Sequence, residues 1–250
     1  MTLPRRAWLK AAGASLAAAF LSGCDQITEN PGVVKALSSA EVLNRRVQRL
    51  LGRSALAREF TRADITPNFK ANGSTDPPDA DYQALVAENF ASWRLVVDGL
   101  VERPLSLSLD QIRALPARTQ ITRHDCVEGW SCIGEWTGAR LGPLIDMAGL
   151  KPEAKHIVLH CADTLGDAKY YETLDVFDVH HPQTILAYAM NGAPLTVPHG
   201  APLRLRAERY LGYKQAKYVM RLEAVDRYDH IAGGQGGYWE DQGYDRYGGI

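Results

Sequence analysis

Apolar residues recur at helical spacing in two segments of the 250-residue chain. In the first segment, the capping-box pair Ser38 and Glu41 precedes the repeat, which ends before Gly52. In the second segment, the repeat ends at Gly149, a residue type that commonly terminates helices. These patterns predict an amphipathic helix within residues 38–62, preceded by a flexible tether over residues 24–37, and a second helix before Gly149. The repeating apolar positions are Leu43, Val47, Leu50 and Leu51 in the first segment and Leu141, Leu144, Ile145 and Ala148 in the second.

Short apolar or alternating runs bounded by turn residues predict six strands. Two of these runs end in turn dipeptides, Asp98-Gly99 and Asn191-Gly192. A short helix capped by Ser108 and ended by Pro116 separates the first two strands. Many strands with few short helices indicate the α+β class, here a single domain of mixed sheets. The predicted strands cover residues 93–99, 119–123, 156–161, 185–190, 203–206 and 218–225.

Two segments lack a regular apolar period. Residues 64–82 are rich in Pro, Asn, Gly and Asp, which predicts a long loop that is either functional or disordered. Residues 233–250 are rich in glycine and cannot form a core alone, although the aromatic residues among them could dock on the domain. We therefore expect a main domain over residues 63–232, followed by a tail that contains Tyr238, Trp239, Tyr244 and Tyr247.

The N-terminus has the composition of an export signal. Arg5 and Arg6 precede an apolar stretch, residues 11–21, that is too short to span a bilayer. Paired arginines are typical of the twin-arginine route, which exports folded proteins. Residues 21–24 resemble a lipobox, and lipidation of Cys24 is favoured over an incidental cysteine. Residues 1–23 are thus predicted to be a twin-arginine/lipoprotein signal that leaves the mature protein in the periplasm, anchored to the inner membrane.

Composition and charge limit the classes of function that the chain can have. With 46% hydrophobic and 23% charged residues, the chain suits one globular domain plus appendages. The formal net charge of -1 at pH 7 argues against a nucleic-acid partner. Because the sequence contains neither a heme-attachment motif nor a Rossmann glycine signature, heme and nicotinamide are not expected inside this chain.

The stretch of residues 121–136 concentrates the candidate chemistry. Its Cys126 follows Arg123, His124 and Asp125 directly. A thiol becomes a metal ligand or nucleophile as the thiolate, which an adjacent arginine or a bound metal favours. These polar and charged neighbours favour a functional role for Cys126 over a role as a small buried apolar residue.

Other interpretations of the cysteines stay open. Cys132 and Cys161 fit buried structural cysteines, and a disulfide between them is possible. A zinc site made of Cys126, Cys132 and His124 departs from the usual knuckle spacing. A cysteine hydrolase using Cys126 is chemically feasible, but it does not account for a basic block further along the chain.

Two ordered motifs carry a family resemblance. The run RHDCVEGWS, residues 123–131, resembles the cysteine motif of the sulfite oxidase superfamily of molybdopterin enzymes, most closely its bacterial methionine sulfoxide reductase branch. NGAPLTVPHGAPLRL, residues 191–205, and GYKQAK, residues 212–217, resemble the segment that binds the cofactor phosphate in that family. Two motifs in order are more specific than either alone. The resemblance spans roughly residues 65–227 and implies the sulfite oxidase-type molybdopterin-binding fold.

The resemblance implies a set of site residues. Cys126 would be the only protein ligand of molybdenum. Arg123 would be a cation that holds substrate beside the metal or would only pair with Asp125, two interpretations that we weigh equally. Arg204, Lys214 and Lys217 would bind the cofactor phosphate, aided by backbone N–H groups of the turn at residues 215–217. The remaining positions that the resemblance assigns to the cofactor are Asn68, Ala71, Asn72, Cys161, His199, Gln215 and Ala216.

The implied activity is two-electron oxygen-atom transfer with molybdenum-molybdopterin, on a small-molecule substrate of the sulfoxide or sulfite type. A sulfite oxidase proper and, in another class, a non-catalytic ligand-binding lipoprotein are the alternatives. Electrons would be exchanged with a separate partner, for example a membrane-bound cytochrome, and a monomer is expected. Further arginines and a histidine pair are interpreted as surface residues, namely Arg206, Arg209, Arg221, His180 and His181.

Overall fold

The structure of the protein, a computed structural model, describes residues 30–51 and 55–249. The predicted signal, Cys24 and the first part of the predicted tether lie outside these residues. The chain divides into two compact units, residues 1–53 and 54–250. Over the described ranges, no helix has the length and apolarity needed to cross a membrane.

The described part of the first unit is one helix, α1 (Pro31–Leu51). The prediction of a tether up to residue 37 is therefore wrong from Pro31 onward, and the predicted capping pair at residues 38 and 41 lies inside the helix. The actual start has a physical reason, since proline is favoured at the first helical position and the Asn30 side chain accepts a hydrogen bond from the Gly32 N–H at 2.9 Å. Val34, Leu43 and Val47 are exposed on α1.

The second unit contains two five-stranded sheets. The order in the first sheet is β2-β1-β10-β5-β6, with β1 and β10 parallel and the other pairs antiparallel. The order in the second sheet is β3-β4-β7-β8, and β9 also pairs with β7. The strands are β1 (Arg94–Gly99), β2 (Leu105–Ser108), β3 (Ala117–Asp125), β4 (Ser131–Arg140), β5 (His156–Leu165), β6 (Ala168–Asp175), β7 (Thr184–Met190), β8 (Ala193–Pro194), β9 (Arg204–Ala207) and β10 (Val219–Val225).

Residues 55–249 also contain five helices and three short 3-10 helices. Ser108 caps its helix through a capping box with Gln111, and Gly149 ends another with a φ of 69°, as the sequence predicts. The helices are α2 (Ala80–Ala87), α3 (Leu109–Arg113), α4 (Leu141–Ala148), α5 (Val176–Val179) and α6 (Tyr238–Asp241), and the 3-10 helices are Arg62–Asp64, Val197–His199 and Gly212–Lys214.

The main core combines residues of both sheets, for example Leu186 on β7, with residues of the helices. Alternate residues of β1, Leu95 and Val97, are fully buried there, and the apolar face of α4 packs into the same cluster. Burying alternating strand residues together with one helix face gives the mixed sheets and short helices that the predicted α+β class requires.

Two predicted boundaries shift in this unit. Residues 55–62, assigned to the amphipathic helix, instead lie along the edge of β3, where the Phe60 N–H donates to the Ile121 carbonyl at 2.8 Å. The glycine-rich tail packs on the domain through Tyr238, Trp239 and Tyr247, so the predicted docking of its aromatic residues is confirmed. The long loop predicted over residues 64–82 is largely irregular and ends in α2.

Candidate active site

The turn between β3 and β4 holds the candidate metal ligand. The Cys126 N–H donates to the Trp130 carbonyl, and the Gly129 N–H donates to the Cys126 carbonyl, both at 3.0 Å. Gly129 has a φ of 84°, a conformation that glycine adopts without a steric cost. Cys126 is half-buried at the end of a strand, which fixes its backbone on the sheet behind it.

Arg123 does not activate the Cys126 thiol. Its guanidinium pairs with Asp125 at 2.9 Å, half exposed, whereas the neighbouring His124 is fully buried. Successive strand residues point to opposite faces, so Arg123 lies on the other side of β3 from His124. Of the two interpretations of Arg123, the structure therefore places it in the ion pair.

Burial, followed by the Glu128 carboxylate, raises the pKa of the Cys126 thiol, while Lys70 acts in the opposite direction. The expectation that a neighbouring arginine lowers this pKa is thus wrong. A thiol of this kind is a poor nucleophile at neutral pH, and metal coordination would deprotonate it. The environment therefore argues against the nucleophile of a cysteine hydrolase.

A buried cationic cluster lies behind this turn. The guanidinium carbons of Arg204 and Arg206, two residues apart on β9, lie 4.9 and 4.4 Å from the centroid of the Trp136 ring. Arg206 is fully buried, pairs with Glu208 at 2.5 Å and donates to His124 Nδ1 at 2.9 Å. The prediction that Arg206 lies on the surface is wrong, because both arginines occupy the buried face of the strand.

Arg204 has no carboxylate partner within 4 Å in the described chain, although it is 1% exposed. Its NH1 group donates to the His199 carbonyl at 3.1 Å. Burial, followed by the nearby Arg206, lowers the pKa of Arg204 to about 9. Gly200 permits the approach of this side chain, since a Cβ there would lie 2.9 Å from Lys217 Cβ and 3.2 Å from Arg204 Cβ. An uncompensated buried cation is costly, and a bound anion would remove that cost.

The two predicted lysines have different surroundings. Lys217 Nζ donates to the carbonyls of Asn72, Ser74 and Pro198, which use all three of its protons. The Lys217 ammonium is close to Arg204, but its hydrogen bonds hold the loop at residues 72–74 and the 3-10 helix that contains Pro198. The structure instead places Lys214 in a fully buried pair of ion pairs with two carboxylates, so its predicted contact with phosphate is not supported. Those carboxylates are Glu172 and Glu240.

The loop that precedes α2 lies across the site. The Phe69 ring packs 5.8 Å from His124, 5.3 Å from Trp136 and 5.9 Å from His199, measured between ring centroids. The next residue, Lys70, lies 4.8 Å above the Trp130 ring and 3.4 Å from Glu128.

Of the predicted loop residues, Asn72 contributes its carbonyl to Lys217, Ala71 is half-buried, and Asn68 is exposed next to Phe69. The loop therefore connects the Cys126 turn with the cationic cluster.

A small cleft brings together three predicted cofactor residues, Asn72, Gln215 and Lys217. Asp163, which the sequence analysis missed, also lines it, and burial raises the pKa of its carboxyl group to about 7. The aromatic residues Tyr170, Tyr213 and Trp239 complete the walls.

The remaining predicted cofactor residues, His199, Cys161 and Ala216, lie in different surroundings. His199 lies beside Phe69, with its pKa lowered by burial and then by Arg204 and Lys217. Cys161 and Ala216 belong to the main core, at 7% and 1% exposure, so side-chain contact with a cofactor is not evident for either.

The alternative metal interpretations find no support in the described residues. Cys132 lies opposite His124 in the second sheet, Cys161 lies in the first sheet, and both are free thiols. In residues 30–51 and 55–249, no group of three or more His, Cys, Asp or Glu side chains could hold a metal ion. His180 is exposed and pairs with Asp146 at 3.0 Å, consistent with the predicted surface role. The same prediction is wrong for His181, which is buried and has its Nε2 atom 3.1 Å from the Ala55 carbonyl.

The residues at the site fit molybdopterin. Molybdopterin combines a dithiolene for molybdenum with an anionic phosphate, so it needs one soft ligand and fixed cations. Cys126 offers the thiol and Arg204 the uncompensated charge. In the described ranges, the buried polar atoms without a hydrogen-bond partner include four around the cluster, namely Arg204 Nε, His199 Nδ1, Trp136 Nε1 and His124 Nε2. Buried polar groups are normally hydrogen-bonded, so these atoms are suited to contact a polar ligand.

The chain is similar to known proteins along most of its length. The family model described as the oxidoreductase molybdopterin binding domain matches residues 82–231. The chain is 36% identical over 249 residues to a protein of Azospira oryzae assigned as protein-methionine-sulfoxide reductase subunit YedZ1, covering 98% of this chain and 87% of that protein. It is 32% identical over 211 residues to the protein-methionine-sulfoxide reductase catalytic subunit MsrP of Xanthomonas campestris pv. campestris, covering 77% of this chain and 62% of that subunit.

A solved structure confirms the fold. The sulfane dehydrogenase SoxCD of Paracoccus pantotrophus matches 70% of this chain and 46% of its own, with a TM-score of 0.53 and 24% sequence identity. The predicted α+β fold, cofactor class and enzyme class are confirmed by these matches together. The chain belongs to the oxidoreductase molybdopterin binding domain family, and so is a molybdenum-dependent oxidoreductase of the sulfite oxidase superfamily.

Proposed function

We propose that this protein is the catalytic component of an exported reductase that removes an oxygen atom from sulfoxide-type small molecules, with molybdenum held by Cys126. The observation that carries the proposal is the half-buried Cys126 thiol, which directly follows β3 and lies two residues from a histidine that contacts the cationic cluster. The two relatives named as methionine sulfoxide reductase subunits support the direction of the reaction.

The residues around Cys126 have distinct roles in this proposal. When bound, the molybdenum cofactor supplies two-electron oxygen-atom transfer. Arg204 would hold the anionic phosphate and His199 Nδ1 would hydrogen-bond to the cofactor, while the Phe69 ring packs against His199. Burial, then Arg206, Arg204 and Lys217, lowers the pKa of His124 well below its usual value, so its ring stays neutral and adds no further charge.

The runner-up function is oxidation of sulfite. Sulfite is a dianion and needs exposed cations at the metal, but the Arg123 guanidinium is paired with Asp125 on the other face of β3. That arrangement favours a neutral sulfoxide as substrate. Purified protein with its cofactor should reduce methyl sulfoxides with a reduced viologen dye and should fail to oxidise sulfite with an electron-accepting dye. Rapid sulfite oxidation would reverse the assignment.

The test of metal ligation is elemental analysis of Cys126→Ala. We expect molybdenum to fall from about one per chain to near zero, since a single thiolate is the proposed protein ligand. Cys132→Ala is the matched control, because it removes a buried thiol from the facing strand without touching the proposed ligand. Unchanged molybdenum in Cys126→Ala, or equal loss in Cys132→Ala, would contradict the proposal.

We further propose that the protein acts in the periplasm, exported by the twin-arginine pathway and tethered to the inner membrane through a lipid on Cys24, where a membrane-bound cytochrome or other electron carrier reduces it. The support is the paired Arg5 and Arg6 and the lipobox-like residues 21–24. Replacing both arginines by lysine should retain the protein in the cytoplasm, and Cys24→Ala should release it from membranes after export. Membrane retention of Cys24→Ala would argue against lipidation.

A further inference from the structure

The C-terminal segment, residues 233–249, contacts the chain directly before the turn at residues 215–217, which we assign to the cofactor. We propose that this segment positions that turn, with Glu240 acting through Lys214. The inference deepens the proposed function and rests on its placement of the cofactor beside residues 215–217.

Backbone and hydroxyl contacts anchor residues 210–214 to the C-terminal segment. The Leu211 N–H donates to the Gly248 carbonyl at 2.7 Å, and the Tyr213 hydroxyl donates to the Asp245 carbonyl at 2.8 Å. Residues 210–214 form a short 3-10 helix and no regular strand. They therefore lack backbone hydrogen bonds to a neighbouring strand of the kind that hold β9 against β7. Their position therefore depends on the segment that supplies these partners.

A buried charge cluster adds a specific link. Lys214 Nζ lies 2.5 Å from Glu172 and also pairs with Glu240, and all three side chains are 0–1% exposed. Burial raises the pKa of Glu172 to about 8 even though Lys214 opposes this shift. Both carboxylates hold the Lys214 ammonium, and the backbone of Lys214 continues directly into Gln215.

The same segment also reaches the cleft. Trp239 lines it together with Gln215 and Lys217, so the helix that carries Glu240 forms part of the wall. The family model ends at residue 231, before this segment begins. The contacts thus describe a contribution of this chain's own C-terminal residues to the cofactor site.

Release of cofactor from the purified holoprotein tests the inference. Molybdenum per chain and pterin fluorescence are followed during dialysis, together with the thermal midpoint. We expect Glu240→Gln to release both about tenfold faster than the unsubstituted protein, since a lost charge-assisted contact corresponds to about one order of magnitude. Lys214→Met should behave in the same way.

Asp241→Asn is the matched control from the same helix. Asp241 accepts from the Tyr171 hydroxyl at 2.7 Å and from the Gly233 N–H at 3.0 Å, so it secures the segment without touching residues 210–214. Its release rate should stay within about twofold of the unsubstituted protein, even where its thermal midpoint falls, because a general loss of stability is not a loss of positioning. Equal acceleration in Asp241→Asn would reduce the role of Glu240 to stability alone and overturn the inference.

Two further variants separate the possible failures. Tyr213→Phe removes only the hydroxyl bond to Asp245, and it should accelerate release measurably if Glu240→Gln does not fold. Arg204→Met tests the cofactor placement itself. Fast release from Arg204→Met with unchanged release from Glu240→Gln and Tyr213→Phe would overturn the role of the segment alone, whereas unchanged release from all of them would overturn the placement of the cofactor as well.

Discussion

At the scale of single residues, the chemistry of this site depends on which cations have counter-charges. Arg206 and Lys214 are neutralised by buried carboxylates, and Lys217 is solvated by three carbonyls. Arg204 has carbonyl and aromatic contacts but no carboxylate in the described chain. An anion is therefore expected at Arg204 before any other position.

Lys217 makes the stability of the cofactor-free protein depend on pH. Burial, followed by Arg204, lowers its pKa to about 7, against a usual value of 10.5. Between these values the unfolded chain holds a proton that the folded chain has lost, so stability rises with pH from about 7 toward 10.5. The rise should be at most about 1.4 kcal/mol per pH unit, measured by urea unfolding.

Lys217→Met should flatten that rise, since it removes the titrating group. Lys155→Met, a change at an exposed lysine, should keep it. A slope above pH 7 that is the same in Lys217→Met and in the unsubstituted protein would show that Lys217 does not carry the effect.

Some of these residue environments could be predicted from sequence. The alternation Leu203-Arg204-Leu205-Arg206 places both arginines on one strand face, a signal that would have identified Arg206 as buried alongside Arg204. The partners of Lys214 could not be found in this way. Glu172 and Glu240 are 42 and 26 residues away from it in the chain, and only the fold brings them together.

At the scale of elements, the loop before α2 is the part of the site with the least regular structure. It is held by the Lys217 ammonium at Asn72 and by the Phe69 ring against three aromatic neighbours. Gly134 lies directly beneath that ring, since a Cβ there would lie 3.2 Å from Phe69. The loop is therefore expected to be ordered mainly by side-chain packing.

Phe69→Ala should loosen this loop. Truncating a half-buried aromatic ring removes its apolar burial and its ring contacts, so we expect a loss of about 1–3 kcal/mol in stability and faster cleavage between residues 65 and 79 in limited proteolysis. Molybdenum should also be released faster from the holoprotein, because the ring covers His199 and His124.

Phe60→Ala is the control for ring loss. Phe60 is also half-buried but lines a separate cleft with Arg123, on the other face of β3. It should lower stability without accelerating cleavage within residues 65–79. Protection of this loop in Phe69→Ala equal to that of the unsubstituted protein would mean that the Lys217 contacts suffice to order it.

Elements with strong local signals were the predictable ones. The spacing of apolar residues, together with turn residues, predicted the helix ended by Gly149 and parts of six strands, namely β1, β3, β5, β7, β9 and β10. β2, β4, β6 and β8 were missed. β4 pairs with a strand on each side, and β6, although it is an edge strand, is buried continuously over residues 170–174, so neither of these two shows a clean alternation in the sequence. The start of α1 at Pro31 was missed because Asn-Pro-Gly is equally compatible with a turn and with a capped helix.

At the scale of the whole molecule, the proposed site draws on both sheets of the second unit. Arg204 lies on β9 of the second sheet, Asp163 lies on β5 of the first, and Lys217 lies two residues before β10 of the first. A ligand that satisfies Arg204 therefore stabilises a junction of the fold rather than one loop. Cofactor content and global stability should consequently change together.

Arg204→Met should change the stability of the two forms of the protein in opposite directions. In the cofactor-free form Arg204 is a buried charge without a counter-charge, so replacing it with a similarly long apolar side chain should raise the urea midpoint above that of the unsubstituted protein. In the holoprotein the same change removes the proposed phosphate contact and should lower the midpoint and the molybdenum content. The stabilisation gained on cofactor binding would then be smaller in Arg204→Met, and a cofactor-free variant less stable than the unsubstituted chain would mean that the contacts of Arg204 with Trp136 and the His199 carbonyl already compensate its charge.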